Sequence, residues 1–347
     1  MSLRITGQRE MIDGLFVSLI AGGHILLEGV PGLAKTLAVK SLAEITGLEF
    51  KRIQFTPDLL PADLTGTMIW QPAGTSGSFS VRRGPVFANV ILADEINRAP
   101  AKVQSALLEA MEEKQVTIGE TSHPLPDPFF VLATENPIEH EGTYALPEAE
   151  LDRFLMKLLV VYPEPIEELE IVKNNSMLAA PPLATNAAEK TKPLSPVLNR
   201  ENLALLRRTA DLVHIDEEIT KYIVSIVTAT RPASLRKSGD SITGNFTASS
   251  ITSSAISSEQ LHDQRSKLEG VYRYLSFGAS PRASIALFKC AKILAMFEGR
   301  QFVTPQDVKA AALPVLRHRI GLSWEAEAEG MDADTVISRI LNHVPVP

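Results

Sequence analysis

An α/β domain built on a parallel sheet, followed by an all-α domain, is the fold class the sequence predicts. Three observations predict it. Up to about residue 160, short apolar runs alternate with stretches of helical spacing, the alternation of an α/β domain. The runs are continuous, which is how strands covered on both faces of a parallel sheet read. From Asn199 onward the pattern is helical throughout.

Ile25-Leu26-Leu27, Val90-Ile91-Leu92-Ala93 and Phe130-Val131-Leu132-Ala133 are the three runs. Residues 36–46 and 100–113 carry the helical spacing, and Val103, Ala106, Leu107 and Ala110 share one face of the second helix. Thr67-Met68-Ile69-Trp70 and Ser78-Phe79-Ser80-Val81 flank Gly74-Thr75-Ser76-Gly77, the pattern of a hairpin. That hairpin, about residues 65–85, is an insert in a core of residues 1–162. Val116-Thr117-Ile118 opens a second, smaller one. A Pro- and Ala-rich stretch (Ala179-Ala180-Pro181-Pro182, then Pro193 and Pro196) makes residues 163–198 a connector.

Residues 199–347 form the helical domain. Asp216 is placed as an N-cap before Ile219, Ile223, Ile226 and Val227. Thr304-Pro305-Gln306-Asp307 combines a cap, a proline at the first helical position and an acid three residues after the cap. Residues 235–270 interrupt the domain. Within them 238–258 are Ser- and Thr-rich and lack the apolar content to pack a core, so a surface loop is expected before a regulatory segment.

The net charge of −7 disfavours a nucleic-acid backbone as the main partner. The single cysteine, Cys290, excludes an internal disulfide framework and a cysteine zinc cluster, and its apolar helical context makes it a core residue. No apolar run reaches the length of a membrane-spanning helix, and the N-terminus lacks a charged region followed by an apolar stretch and cleavage site. A cytoplasmic protein is expected.

The first chemical motif is Gly29-Val30-Pro31-Gly32-Leu33-Ala34-Lys35-Thr36, which follows an apolar strand and starts a helix. This is the context of a phosphate-binding loop, in which glycines turn backbone amides inward and the helix N-terminus favours an anion. Lys35 would reach the β- and γ-phosphates, and the Thr36 hydroxyl would ligate Mg²⁺. Ala34 stands where a glycine normally precedes the lysine, and an alanine fits there if its φ is negative.

Strand Val90–Ala93 ends in Asp94-Glu95. An acid at the carboxyl end of a neighbouring strand can hold the ion that Thr36 touches, and the next can polarise the attacking water. Asp94 takes the first role and Glu95 the second. A strand also ends in a polar residue simply because the chain leaves the core; the upstream loop makes coincidence a poor account. Asn136, past the third strand, can hydrogen-bond a γ-phosphate or the water without adding charge, and alone equally reads as a turn starter before Pro137. In Gly278-Ala279-Ser280-Pro281-Arg282, Arg282 falls in a first helical turn, where a cation opposes the dipole and suits a nearby anion; without the other motifs a solvated arginine is as good a reading.

In this order the motifs resemble those of AAA+ ATPases, and specifically the MoxR family. The resemblance rests on the loop 29–36, on Asp94-Glu95-Ile96-Asn97-Arg98-Ala99-Pro100, and on Asn136-Pro137, Leu151-Asp152-Arg153-Phe154 and Ser280-Pro281-Arg282. It continues in Leu316-Arg317-His318-Arg319-Ile320, so it covers nearly the whole chain. It implies an αβα sandwich with a parallel sheet followed by an all-α lid, with ATP and Mg²⁺ as cofactors. Ala34 is usual in that family. Asn136 would be sensor 1 and Arg282 sensor 2. Arg153 would be an arginine finger acting on the neighbouring subunit's nucleotide, which implies a homo-oligomeric ring, a hexamer. The hairpin insert would contact substrate or partner. Two features depart from the family: residues 238–268 are longer and more polar, and little chain precedes Ile5.

The function expected from the resemblance is ATP-driven, chaperone-like remodelling or maturation of a client protein or complex, with a von Willebrand factor A domain protein as a possible partner. The alternative is the motor subunit of a chelatase-like metal-insertion complex; the seven histidines show no metal-ligand spacing, so this chain would not hold that metal. A nucleotide-gated scaffold needs neither Glu95 nor Arg153. A DNA helicase-type motor is disfavoured by the acidic balance.

Overall fold

The computed structural model describes residues 1, 5, 7–30, 33, 35–73, 76–137, 143–178, 196–232 and 270–347. Residues 235–269 of the insertion and residues 179–195 of the connector lie outside the described residues. The chain divides into two compact units, Met1–Leu205 and Leu206–Pro347.

The first unit runs α1 (Arg9–Ala21), β1 (Ile25–Gly29), α2 (Lys35–Thr46), β2 (Phe50–Gln54) and α3 (Pro61–Thr65). A hairpin follows, β3 (Gly66–Ala73) and β4 (Ser76–Arg83), then β5 (Val90–Asp94) and α4 (Ala101–Glu113). A second hairpin, β6 (Gln115–Ile118) and β7 (Thr121–Pro124), leads to β8 (Phe130–Glu135), α5 (Glu148–Leu151), β9 (Met156–Val160) and α6 (Pro165–Leu178). β1, β2, β5, β8 and β9 form one sheet in the order β2-β5-β8-β1-β9, parallel throughout.

The three strands read from sequence are the three central ones. Alternate residues go to opposite faces, and both sets are buried: Leu26, Ile91, Ala93, Val131 and Ala133 on the side of Val103, Leu107 and Met111 of α4, and Ile25, Leu27, Val90, Leu92, Phe130 and Leu132 on the other. α1 lies against β9 and α2 against β5. Gly29 ends β1 where a Cβ would meet the Val160 carbonyl oxygen at 2.5 Å, so close approach of β9 selects glycine there.

Four details differ from the sequence expectation. Edge strands β2 and β9 were not anticipated. Ser76 and Gly77 belong to β4, because the hairpin ladder continues to the Ala73–Ser76 pair and leaves only two residues between the strands. The first part of the connector forms α6. The second unit is also not wholly helical.

That second unit packs α8 (Glu217–Ala229), α9 (Pro281–Phe297), α10 (Pro305–Leu316) and α12 (Ala333–His343), with the short α11 (Trp324–Ala328) between the last two. α7 (Arg200–Leu212) precedes them and spans the division between the units. β10 (Leu275–Phe277) and β11 (Gly321–Leu322) pair antiparallel. Ile219, Ile223, Ile226 and Val227 are buried as their spacing predicts. Asp216 caps α8 by accepting the Glu218 N–H at 2.9 Å, and Asp307 accepts the Thr304 N–H at 2.8 Å. Cys290 is fully buried, and burial pushes its thiol up to about 12.

His24, just before β1, is a buried polar anchor. Its Nδ1 accepts the Val131 N–H at 3.0 Å and its Nε2 lies 3.3 Å from the Met111 carbonyl, which fixes a neutral ring protonated at Nε2. Burial, the largest cause, lowers its pKa from 6.5 to about 4. The unfolded chain therefore binds a proton that the folded one rejects, and stability is lost as pH falls below 6.5. Between pH 7.5 and pH 5 the wild type should lose about 2 kcal/mol more stability than His24→Gln. Denaturant melts of both proteins at the two pH values check this; parallel losses would be inconsistent with it.

Candidate nucleotide site

Parallel pairing brings the carboxyl ends of β1, β5 and β8 side by side, the edge of an open α/β sheet at which ligands bind. A cleft of about 400 Å³ opens there. Of the residues predicted from sequence, Gly29, Lys35, Thr36, Asp94, Glu95 and Asn136 line it. Gly29 ends β1, Lys35 and Thr36 open α2, Asp94 ends β5 and Asn136 follows β8. Val30 and Leu33 are not among the lining residues. Pro31, Gly32 and Ala34 lie outside the described residues.

Lys35 Nζ donates to the Gly29 carbonyl across the loop. Burial lowers the Lys35 pKa, while Asp94, Glu28 and Glu95 act to raise it. An ammonium so placed has acids on its protein side and the open cleft beside it.

The acid pair is held from both neighbouring strands. Asp94 Oδ1 accepts the Thr134 hydroxyl at 2.7 Å, and Oδ2 accepts Arg52 Nε at 3.0 Å and Nη2 at 2.6 Å. Glu95 Oε2 accepts Gln54 Nε2 at 2.7 Å and lies 3.1 Å from Arg98 Nε. Glu95 itself sits at φ 57°, ψ 52°, a left-handed conformation that costs a non-glycine residue about 1–2 kcal/mol.

Sequence reasoning missed Arg52, Thr134 and Glu135, which also line the cleft. Thr134 and Glu135 were within reach, since they directly precede Asn136. Arg52 and Gln54 alternate along β2, and without the strand order nothing tied them to Asp94 and Glu95.

Glu135 belongs to a charged group under the cleft. Lys157 of β9 pairs with Glu28 of β1 and stands 4.0 Å from Glu135 of β8. Burial raises the Glu135 pKa most; Lys157 opposes this and Glu28 adds to it.

Two predicted residues are not among those lining this cleft. Arg153, in the turn after α5, has its Nε 2.9 Å from Glu112 Oε2 on α4. Arg282 is exposed in the first turn of α9 in the second unit, where its N–H donates to the capping Ser280 hydroxyl at 3.1 Å.

A strand–loop–helix carrying a lysine and a threonine, with two acids at the end of a strand one place removed in the same parallel sheet, defines a P-loop ATPase site. A model of the ATPase family associated with various cellular activities (AAA) matches residues 24–156, and one of the AAA lid domain matches residues 271–340. The chain is an ATP-hydrolysing AAA+ enzyme with a helical lid. It is 43% identical to Chaperone MoxR1 of Mycobacterium tuberculosis, over 99% of this chain and 79% of that protein. It is 30% identical to Protein MoxR of Paracoccus denitrificans, over 99% and 93%. The crystal structure of a provisionally named ATPase from Cytophaga hutchinsonii, 44% identical, superposes with a TM-score of 0.80 and covers 100% of this chain and 92% of that one. The chain belongs to the MoxR family of AAA+ ATPases.

Removing the cation from this partly buried group should leave two carboxylates facing each other. Lys157→Met should cost about 2–4 kcal/mol at pH 8. Without the ammonium the Glu135 pKa rises further, so the folded state holds a proton the unfolded state has released. The deficit should therefore shrink as pH falls toward 5. Thermal melts of mutant and wild type across that range test this; a pH-independent deficit would count against it.

Proposed function

We propose that this protein is a chaperone-like ATPase that uses ATP hydrolysis to remodel or mature a client protein or complex. The supporting observation is the convergence of Lys35 and Thr36 with Asp94, Glu95 and Asn136 on one cleft. The Thr36 hydroxyl and the Asp94 carboxylate are hard oxygen donors on the same cleft, the ligand type Mg²⁺ takes, so these residues fit a magnesium–nucleotide complex. Residues 29–36 would cradle the phosphates, with Lys35 on the β- and γ-phosphates. When bound, ATP supplies the phosphoanhydride to be cleaved and Mg²⁺ offsets its charge. Glu95 orients the attacking water and accepts its proton, and Asn136 senses the γ-phosphate.

Arg153 is proposed to act on nucleotide bound by the adjacent copy, in a homo-oligomeric ring of six, and Arg282 to report nucleotide to the lid. The β3–β4 hairpin carries an exposed edge-to-face pair, Trp70 and Phe79, with ring centroids 4.9 Å apart, a surface suited to a client or to a von Willebrand factor A domain partner. The proposed setting is the cytoplasm. Among the described residues no helix is long and apolar enough to cross a membrane. The names of the relatives favour the chaperone reading over a chelatase motor.

Glu95→Gln should bind ATP with near-normal affinity, lose about a hundredfold or more in kcat, and retain client in pull-downs. Hydrolysis at the wild-type rate would remove Glu95 from the chemistry. Arg153→Ala should bind ATP, fail to hydrolyse it, and inhibit wild-type subunits out of proportion when the two are mixed. Full turnover by pure Arg153→Ala would end the trans-acting assignment.

A further inference from the structure

We infer that Thr134 is the positioning residue for the acid pair, holding Asp94 and Glu95 in their working geometry through one hydroxyl. The inference rests on the proposed roles of those two acids.

The β5–β8 ladder runs from the Val90–Phe130 pair to the Ala93–Ala133 pair and stops there. One residue further along, the Thr134 side chain takes over from the backbone. Its hydroxyl accepts the Glu95 N–H at 2.8 Å and donates to Asp94 Oδ1 at 2.7 Å. A hydroxyl has one proton to give, so the donor goes to the carboxylate and a lone pair receives the amide. Thr134 is 2% exposed and β-branched, with little freedom to turn elsewhere.

Each contact fixes a different variable. The bond to Glu95 N–H secures the backbone where the chain turns left-handed, at φ 57°, and that turn decides where the Glu95 carboxylate can point. The bond to Oδ1 fixes the rotation of the Asp94 carboxylate and balances the pull of Arg52 on Oδ2 from the opposite strand. Without the hydroxyl, Arg52 alone sets the Asp94 rotamer, and the Glu95 amide loses its partner. Thr134 touches neither water nor nucleotide in this role; it acts through the two acids.

The test compares Thr134→Val, which keeps shape and branching, with Thr134→Ser, which keeps the hydroxyl. Thr134→Val should lose about tenfold to a hundredfold in kcat while KM for ATP stays within about threefold. Thr134→Ser should stay within about threefold of wild type in both. In a second readout, binding of a fluorescent ATP analogue without Mg²⁺ should be alike in all three, while the gain in affinity on adding Mg²⁺ should shrink in Thr134→Val. If Thr134→Val does not fold, Thr134→Ala carries the same expectation. Wild-type kcat in Thr134→Val, or equal losses in valine and serine variants, overturns the inference. Glu95→Gln run alongside separates the failures: if it is inactive while Thr134→Val is normal, only the positioning role falls. If Glu95→Gln hydrolyses ATP normally, the reading beneath it falls.

Discussion

Everything at the site depends on where the backbone ladder between β5 and β8 ends. Up to Ala93 and Ala133 the two strands are joined as parallel strands and buried on both faces. Beyond that pair the backbone ladder stops, and a side chain makes the next contacts between the strands. A buried sheet tolerates polar residues only where its ladder has released them into a cleft or onto a partner. Asp94, Glu95, Thr134, Glu135 and Asn136 all stand at or just past that point. The acidity of the cleft is therefore a consequence of strand length, and moving either strand by one residue would put the acids into the core.

The same logic explains what was legible in the sequence. β1, β5 and β8 are central, covered by helices on both sides, and had to be continuous apolar runs; they announced themselves. β2 and β9 are edge strands. Phe50-Lys51-Arg52-Ile53-Gln54 reads as a polar mixture because most of its side chains face solvent or the site. Lys157 breaks Met156–Val160 in the same way. The hairpin was visible because its residues alternate in two-residue steps, and only its turn was drawn too wide.

The site was legible in so far as its chemistry lies in single residues at strand or helix ends. Lys35, Thr36, Asp94, Glu95 and Asn136 could be named because each stands next to its own structural signal. Arg52, Gln54 and Lys157 could not, because each matters through a partner that another strand supplies. That partnership follows from the order β2-β5-β8-β1-β9, which local pattern does not contain. Glu28 is the sharpest case. It lies next to the loop and reads as an ordinary strand residue, yet with Glu135 of the adjoining strand β8 it shares a partly buried cation from β9.

These hidden pairings also show how the site carries excess negative charge without a ligand. Asp94, Glu95, Glu28 and Glu135 crowd one end of the sheet, and unpaired carboxylates at such depth would be costly. Arg52 and Arg98 neutralise the first two from the rim, and Lys157 the other two from beneath, while Lys35 stays on the cleft side. The cations at the rim are half-exposed and replaceable; the one beneath is not. Such a division suits a site that takes up a metal and a polyanion together. The outer ion pairs can open when new charges arrive, and the inner one holds β1, β8 and β9 in register while they do.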